Sequence, residues 1–243
     1  FSNSYFSRQS KMPPLLGTID IEQLKVPLGF IKVVEFVMAL IVYVSLHGWR
    51  FDAHLTCINE DKTNIRYETS TFALSDILIK NCSGDEIQLF DRSYSFSAFM
   101  VSLISVITIF YCLALLSIYL YRWNAYTSDD NLPRMDTAIT IVIAICWFIL
   151  FWVWWRQSSD LEYYTTNENV LKRAHETNLC QMKASCVLKT YAMYAPLSIS
   201  VVAALGCSVL FAYNIWVTYK ETIWFRQRQM NQVPHTIETH TLS

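Results

Sequence analysis

The chain has 243 residues, of which 53% are hydrophobic and 16% are charged, and its formal net charge is −1. This near-neutral balance argues against nucleic-acid binding, which needs a clear excess of basic residues. The mean hydropathy is +0.26, and the apolar residues are clustered into long runs. Clustering of this kind is typical of a membrane protein and excludes an ordinary soluble domain.

The N-terminal segment, residues 1–27, is polar and precedes the first predicted membrane-spanning helix, residues 28–46. Pro27 suits the first position of that helix. Lys32 and Glu35 lie inside the span, three residues apart and therefore on one helical face. We expect a local ion pair that faces the bundle, because no second acidic residue lies within a predicted span. A proton or ion site at Glu35 is the alternative.

A polar loop, residues 47–95, follows the first span. Two stretches in it, residues 65–69 and 86–89, alternate apolar and polar side chains. A period of two predicts half-buried strands, so we expect a small sheet in this loop.

The second predicted span, residues 96–121, has no Asp, Glu, Lys, Arg or His. At its end, Leu116, Tyr119 and Arg122 fit a loose pattern that has been proposed for cholesterol contact. An ordinary helix end at the membrane–water interface explains the same residues equally well.

A short linker, residues 122–136, ends in Asp136, which lies where a helix N-cap belongs. The third predicted span, residues 137–155, closes with several tryptophans, and we interpret them as markers of the membrane–water interface. They are Trp152, Trp154 and Trp155, and Trp49, Trp123 and Trp216 mark other span ends in the same way.

A second polar loop, residues 156–191, leads to the fourth predicted span, residues 192–219, and to a polar tail, residues 220–243. Small residues recur at every fourth position of the fourth span. We interpret this stripe as a packing seam, because small residues let helix backbones approach closely in lipid; a chance pattern of common residues is the alternative. The stripe consists of Ser200, Ala204, Ser208 and Ala212.

Four cysteines, Cys57, Cys82, Cys180 and Cys186, lie in the two large loops, and none lies in the tails or the linker. This distribution indicates an oxidising compartment on the side of both loops. Asn81 begins a glycosylation sequon in the same loop as Cys82. We therefore expect lumenal loops and cytosolic termini. One bridge per loop is the expected pairing, and free or cross-loop cysteines are the alternative.

The sequence contains no recognisable motif for hydrolysis, phosphate binding or metal binding. We therefore expect no enzyme activity and no catalytic, cofactor or metal site. The predicted fold is an all-α membrane protein, a bundle of four transmembrane helices with a small β-rich first loop on the lumenal side.

Several segments of the chain carry motifs of a known family of membrane proteins. The segment 25–33 is similar to the opening of the synaptophysins, and the segment 216–224 is similar to their Lys-Glu-Thr-x-Trp ending. Residues 91–98 and 167–172 also fit the family pattern. The resemblance covers roughly residues 20–225 and implies a MARVEL-type four-helix arrangement.

The resemblance implies a multi-pass protein of synaptic or secretory vesicles with both termini in the cytosol. Synaptophysins bind the vesicle SNARE synaptobrevin, associate with cholesterol and the vesicular proton pump, form homo-oligomers and act in exocytosis and recycling. They also carry one disulfide in each loop and a glycan in the first loop, although Asn81 is not at the usual family position.

The tail departs from the family pattern, because residues 220–243 contain no glycine, whereas the long tail of the family is rich in Gly and Tyr. We therefore do not expect endocytic roles that depend on the tail. An oligomeric channel and a claudin-like junction or adhesion protein remain the alternative functions.

Overall fold

The computed structural model describes residues 27–57, 64–69, 72–80, 85–121, 126, 131–177, 179 and 186–221. Four of its helices are long and apolar enough to cross a membrane, which confirms the predicted membrane fold. These helices are α1 (Pro27–His47), α2 (Ser95–Tyr121), α3 (Asn131–Thr165) and α5 (Tyr194–Glu221), and a shorter helix, α4 (Asn167–Glu176), lies between the last two.

The four long helices close into a bundle in which α1 and α3 each contact both α2 and α5. Each helix buries a narrow stripe and leaves apolar side chains outside: Cys207 is fully buried in α5, whereas Val202 is 66% exposed. A helix that is apolar all round suits a lipid environment, where the outer face contacts acyl chains.

The third membrane helix differs most from its predicted limits. α3 begins at Asn131 and ends at Thr165, so Asp136 lies inside the helix and is not an N-cap. At about 1.5 Å per residue its 35 residues reach about 52 Å, well beyond a hydrocarbon core of about 30 Å. The predicted linker ended at Asp136 because a charged residue is costly inside a membrane helix. In the structure Asp136 is buried inside the bundle, so the helix can begin before it.

The two large loops share one sheet. Its order is β2 (Asn64–Thr69), β1 (Phe51–Cys57) and β5 (Cys186–Ala192), with both neighbouring pairs antiparallel. A separate hairpin pairs β3 (Leu78–Lys80) with β4 (Glu86–Gln88). The two predicted strands are present as β2 and β4, but β5 belongs to the second loop, so the larger sheet is not confined to the first.

Aromatic side chains join the sheet to the bundle. Trp49 is fully buried and stacks on Phe72 with 4.9 Å between ring centroids, and Phe72 meets the edge of Trp154 at 5.5 Å. Trp49 and Trp154 are therefore core residues, which corrects their interpretation as interface markers. Trp152 and Trp155, at 51% and 48% exposure, lie on the outer surface as expected of such markers.

Candidate functional site

A buried cluster of polar side chains lies in the end of the bundle away from the sheet, and every membrane-spanning helix contributes to it. Isolated polar groups at this depth are costly, so a cluster shared by several helices indicates a structural or functional role. We call it the polar cluster. It consists of Lys32 and Glu35 of α1, Tyr111, Cys112 and Tyr119 of α2, Asp136 and Thr140 of α3, Asn214 of α5, and Tyr126.

Lys32 occupies the centre of the polar cluster. Its side chain is fully buried, and its Nζ lies 3.1 Å from Glu35 Oε2 and 3.9 Å from Asp136 Oδ1. The predicted ion pair is therefore confirmed, and it faces the inside of the bundle as expected. The ammonium also lies 4.5 Å from the ring centroid of Tyr111 and 5.4 Å from that of Phe211. Aromatic faces stabilise a desolvated cation in this way.

Asp136 accepts a set of hydroxyl hydrogen bonds. The hydroxyls of Tyr119 and Tyr126 donate to Oδ2 at 3.0 Å and 2.9 Å. Thr140 Oγ1 donates to Oδ1 at 3.3 Å, and the Tyr111 hydroxyl also donates to that oxygen. The Asp136 carboxyl group of α3 is therefore bonded to two tyrosines of α2.

Glu35 has fewer donors. Asn214 Nδ2 donates to its Oε1 at 2.9 Å, and the Cys112 thiol lies 3.8 Å from Oε2. Within the part of the chain that the structure describes, the Oδ1 atom of Asn214 is buried without a hydrogen-bond partner. The polar cluster thus holds two carboxyl groups for one ammonium group, a composition that can bind a proton or a cation as well as hold helices together.

The packing stripe of α5 faces into the bundle over most of its length. Ser200, Ala204 and Ser208 are buried, whereas Ala212 is exposed. Ser200 Oγ accepts a hydrogen bond from the Trp154 indole nitrogen at 2.9 Å, which fixes α5 against α3. The stripe is therefore an internal seam at its first three positions, and only Ala212 lies on the outer surface.

The residues of the cholesterol pattern do not share an outer face. Tyr119 is fully buried and bonded to Asp136, so its ring is not available to a sterol outside the bundle. Leu116 is half-buried, and Arg122 lies outside the described residues.

The loop cysteines are only partly described. Cys57 is the last residue of β1 and Cys186 the first of β5, and the strand register pairs them directly. Cys82, Cys180 and the sequon residue Asn81 lie outside the described residues. The disulfides and the glycan therefore stay predictions.

Outside the membrane-spanning helices, an exposed ion pair connects the second loop to the first. Arg173 Nη1 of α4 lies 2.9 Å from Asp91 Oδ1. The hydrogen bond from Arg173 lowers the pKa of Asp91 below its ordinary value. Arg173 and Arg92 also lie over the ring of Tyr164, at 5.0 Å and 4.9 Å from its centroid, which extends the contact.

Sequence reasoning missed Asp136, Tyr111 and Tyr126 as site residues, and it assigned Tyr119 to a possible cholesterol contact instead of this cluster. One signal was available: Tyr111 and Tyr119 are eight residues apart, and Asp136 and Thr140 four apart, so each pair shares a helical face. Asn214 gave no comparable signal, because no other polar residue of its helix joins the polar cluster.

Comparison with protein families agrees with this architecture. A model of the MARVEL membrane-associating domain matches residues 23–217, a region that includes the sheet, the polar cluster and nearly all of the four membrane-spanning helices. Because the match covers most of the chain, the protein belongs to the MARVEL family.

Proposed function

We propose that this MARVEL protein is a non-enzymatic organiser of synaptic or secretory vesicle membranes, which binds and traffics the vesicle SNARE synaptobrevin in exocytosis and recycling. The family match supports a membrane protein, and the synaptophysin-like segments 25–33 and 216–224 support the vesicle role. In this proposal the two loops face the vesicle lumen and both termini face the cytosol.

The observation that carries the proposal is the separation of polar and apolar surfaces in the bundle. The ionisable groups of Lys32, Glu35 and Asp136 are enclosed, whereas the outer faces present large apolar side chains such as Phe110 at 68% exposure. A bundle built in this way is suited to lateral contacts with lipids and with the membrane helix of a partner.

The internal position of Ala204 and Ser208 leaves the packing stripe closed to a partner helix. Both residues are buried, so the synaptobrevin contact is assigned to the outer surface and not to the packing stripe. Outward-facing aromatic pairs at the sheet end of the bundle offer matched variants: Trp152 with Trp155 on α3, and Phe96 with Phe99 on α2.

The test is purification of the tagged full chain from vesicle membranes in mild detergent, followed by detection of synaptobrevin. We expect synaptobrevin to be enriched over an unrelated four-helix membrane protein prepared in parallel. Replacing the aromatic pair that contacts synaptobrevin by Ala should lower the amount of synaptobrevin captured. The same replacement of the other pair should leave that amount unchanged. Equal background capture by the wild-type chain and the unrelated protein would reject the proposal.

The same preparation tests the further partners that we propose, namely the vesicular proton pump and additional copies of this chain.

For cholesterol, we propose a groove of about 360 Å³ between α1 and α2 at the sheet end, with Leu46, Ala98 and Phe99 among its lining residues. A photoactivatable sterol should label this groove in membranes, and labelling confined to other regions would argue against it.

A channel or carrier is the second candidate, and the position of Asp136 favours it. Two carboxyl groups and one ammonium group from α1 and α3 lie together inside the bundle, which is an arrangement found in proton and ion pathways. Reconstituted liposomes should then show a flux that Glu35→Gln abolishes and that Asp91→Asn, outside the membrane, leaves intact. Absence of flux from the wild-type chain would eliminate this candidate.

A further inference from the structure

The ladder between β1 and β5 ends in a pair of cysteines. The register runs antiparallel from Phe51↔Ala192 to Cys57↔Cys186, so the two cysteines are direct partners in neighbouring strands. Opposite residues of an antiparallel pair have Cα atoms about 4.5–5.5 Å apart, and disulfides span Cα separations of about 4.4–6.8 Å. The backbone therefore brings residues 57 and 186 within disulfide distance.

Burial fixes this register. Phe51, Ala53 and Leu55 are buried along β1, and Leu55 is paired with Leu188, which is also buried. A slip of one residue would move these side chains to the other face of the sheet, so alternative registers are strongly disfavoured. The pairing of Cys57 with Cys186 follows from the same register, two positions beyond Leu55.

We propose that Cys57 and Cys186 form a disulfide that connects the first loop to the second. In the reaction each thiol loses one proton and one electron, the new S–S bond forms, and the two electrons reduce a disulfide oxidant, such as a protein disulfide or oxidised glutathione, to its dithiol form. The inference rests on the proposed orientation, in which both loops face an oxidising compartment.

The bridge has a structural consequence that a bridge within one loop lacks. β1 follows α1 after a short turn, and β5 precedes α5 almost directly, while α1 and α5 pack against each other in the membrane. A Cys57–Cys186 disulfide closes a covalent ring that contains α2 and α3. It therefore holds β1, which follows α1, against β5, which precedes α5, on the lumenal side.

Trypsin separates the four loop cysteines, which makes the pairing directly measurable. Cleavage after lysine and arginine places Cys57 in the peptide 51–62, Cys82 in 81–92, Cys180 in 174–183 and Cys186 in 184–189. The full chain is prepared from membranes with its free thiols alkylated before lysis, deglycosylated and digested without reductant. Mass spectrometry then identifies the linked peptides.

We expect a product that links peptide 51–62 to peptide 184–189 and that separates on reduction. A link from 51–62 to 81–92, with 174–183 joined to 184–189, would overturn the inference and leave the orientation intact. Alkylation of all the loop thiols would overturn both. As a second measurement, Cys57→Ser should make Cys186 reactive to alkylation, whereas Cys82→Ser should leave Cys186 unreactive.

Discussion

The loss of the Lys32 ammonium provides the sharpest test of the polar cluster. Lys32→Met keeps the length and apolar body of the side chain and removes its charge from between Glu35 and Asp136. At an effective dielectric constant of about 20, charge separations of 3.1 Å and 3.9 Å correspond to gross attractions of about 5 and 4 kcal/mol. The desolvation of the ammonium offsets part of this attraction. Removing one partner of a buried pair typically costs about 3–5 kcal/mol, because an uncompensated charge remains.

The assay is unfolding of the purified chain by SDS in mixed micelles, followed by tryptophan fluorescence, since Trp147 and Trp154 are fully buried in the bundle. We expect Lys32→Met to lower the free energy of unfolding by about 3–5 kcal/mol. The double variant Lys32→Met/Glu35→Gln should recover part of that loss, because Glu35 no longer carries an unpaired charge.

Lys220 provides the matched control, because it is exposed and its Nζ lies 3.5 Å from the ring centroid of Trp216. Lys220→Met should cost no more than about 1 kcal/mol. A Lys32→Met effect as small as that of Lys220→Met, or a double variant no more stable than the single one, would refute the reasoning.

Three further outcomes follow from the structure. Ala204→Leu should lower the free energy of unfolding by about 1–3 kcal/mol because its site is fully packed, whereas Ala212→Leu on the outer surface should change it by less than about 0.5 kcal/mol in the same assay. Ser200→Ala leaves a buried indole N–H without an acceptor and should cost about 1–3 kcal/mol in that titration. Asp91 has a lowered pKa through Arg173, so its stabilising effect is present at neutral pH and is lost as the pH falls below about 4 through that lowered pKa. Melting curves of Asp91→Asn and the wild type should therefore differ at pH 7 and converge in acid.

The membrane fold could be read from the sequence because the apolar runs are long and interrupted by polar loops. α2 ends at Tyr121 as predicted, and the limits of α1 lie within one residue of the prediction. The predicted limits of α3, residues 137–155, are too short at both ends because the charged residues Asp136 and Arg156 flank them. A single sequence does not show that Asp136 is buried against tyrosines, or that the helix continues beyond Arg156 to Thr165.

The shared sheet was predictable in part. Phe51, Ala53 and Leu55 alternate with Asp52 and His54, which is a strand signal that the sequence analysis overlooked. The partner of that strand could not be found from its pattern, because pairing between segments so distant in sequence is decided by tertiary packing. The adjacent packing of α1 and α5 is what brings β1 and β5 together.

The bundle needs specific contacts at both of its ends, because burial of one apolar helix against another gains little in lipid. The sheet shared by the two loops connects the helices at one end, and the polar cluster connects all four at the other. Glu35→Gln distinguishes a purely structural role of the polar cluster from a role in proton or ion transfer. The amide keeps the shape of the side chain and a hydrogen bond from Lys32, but it cannot bind and release a proton. If the cluster serves only as a connection between helices, the variant should stay folded with unchanged partner capture. If it also moves protons or ions, flux should be lost from a bundle that remains intact.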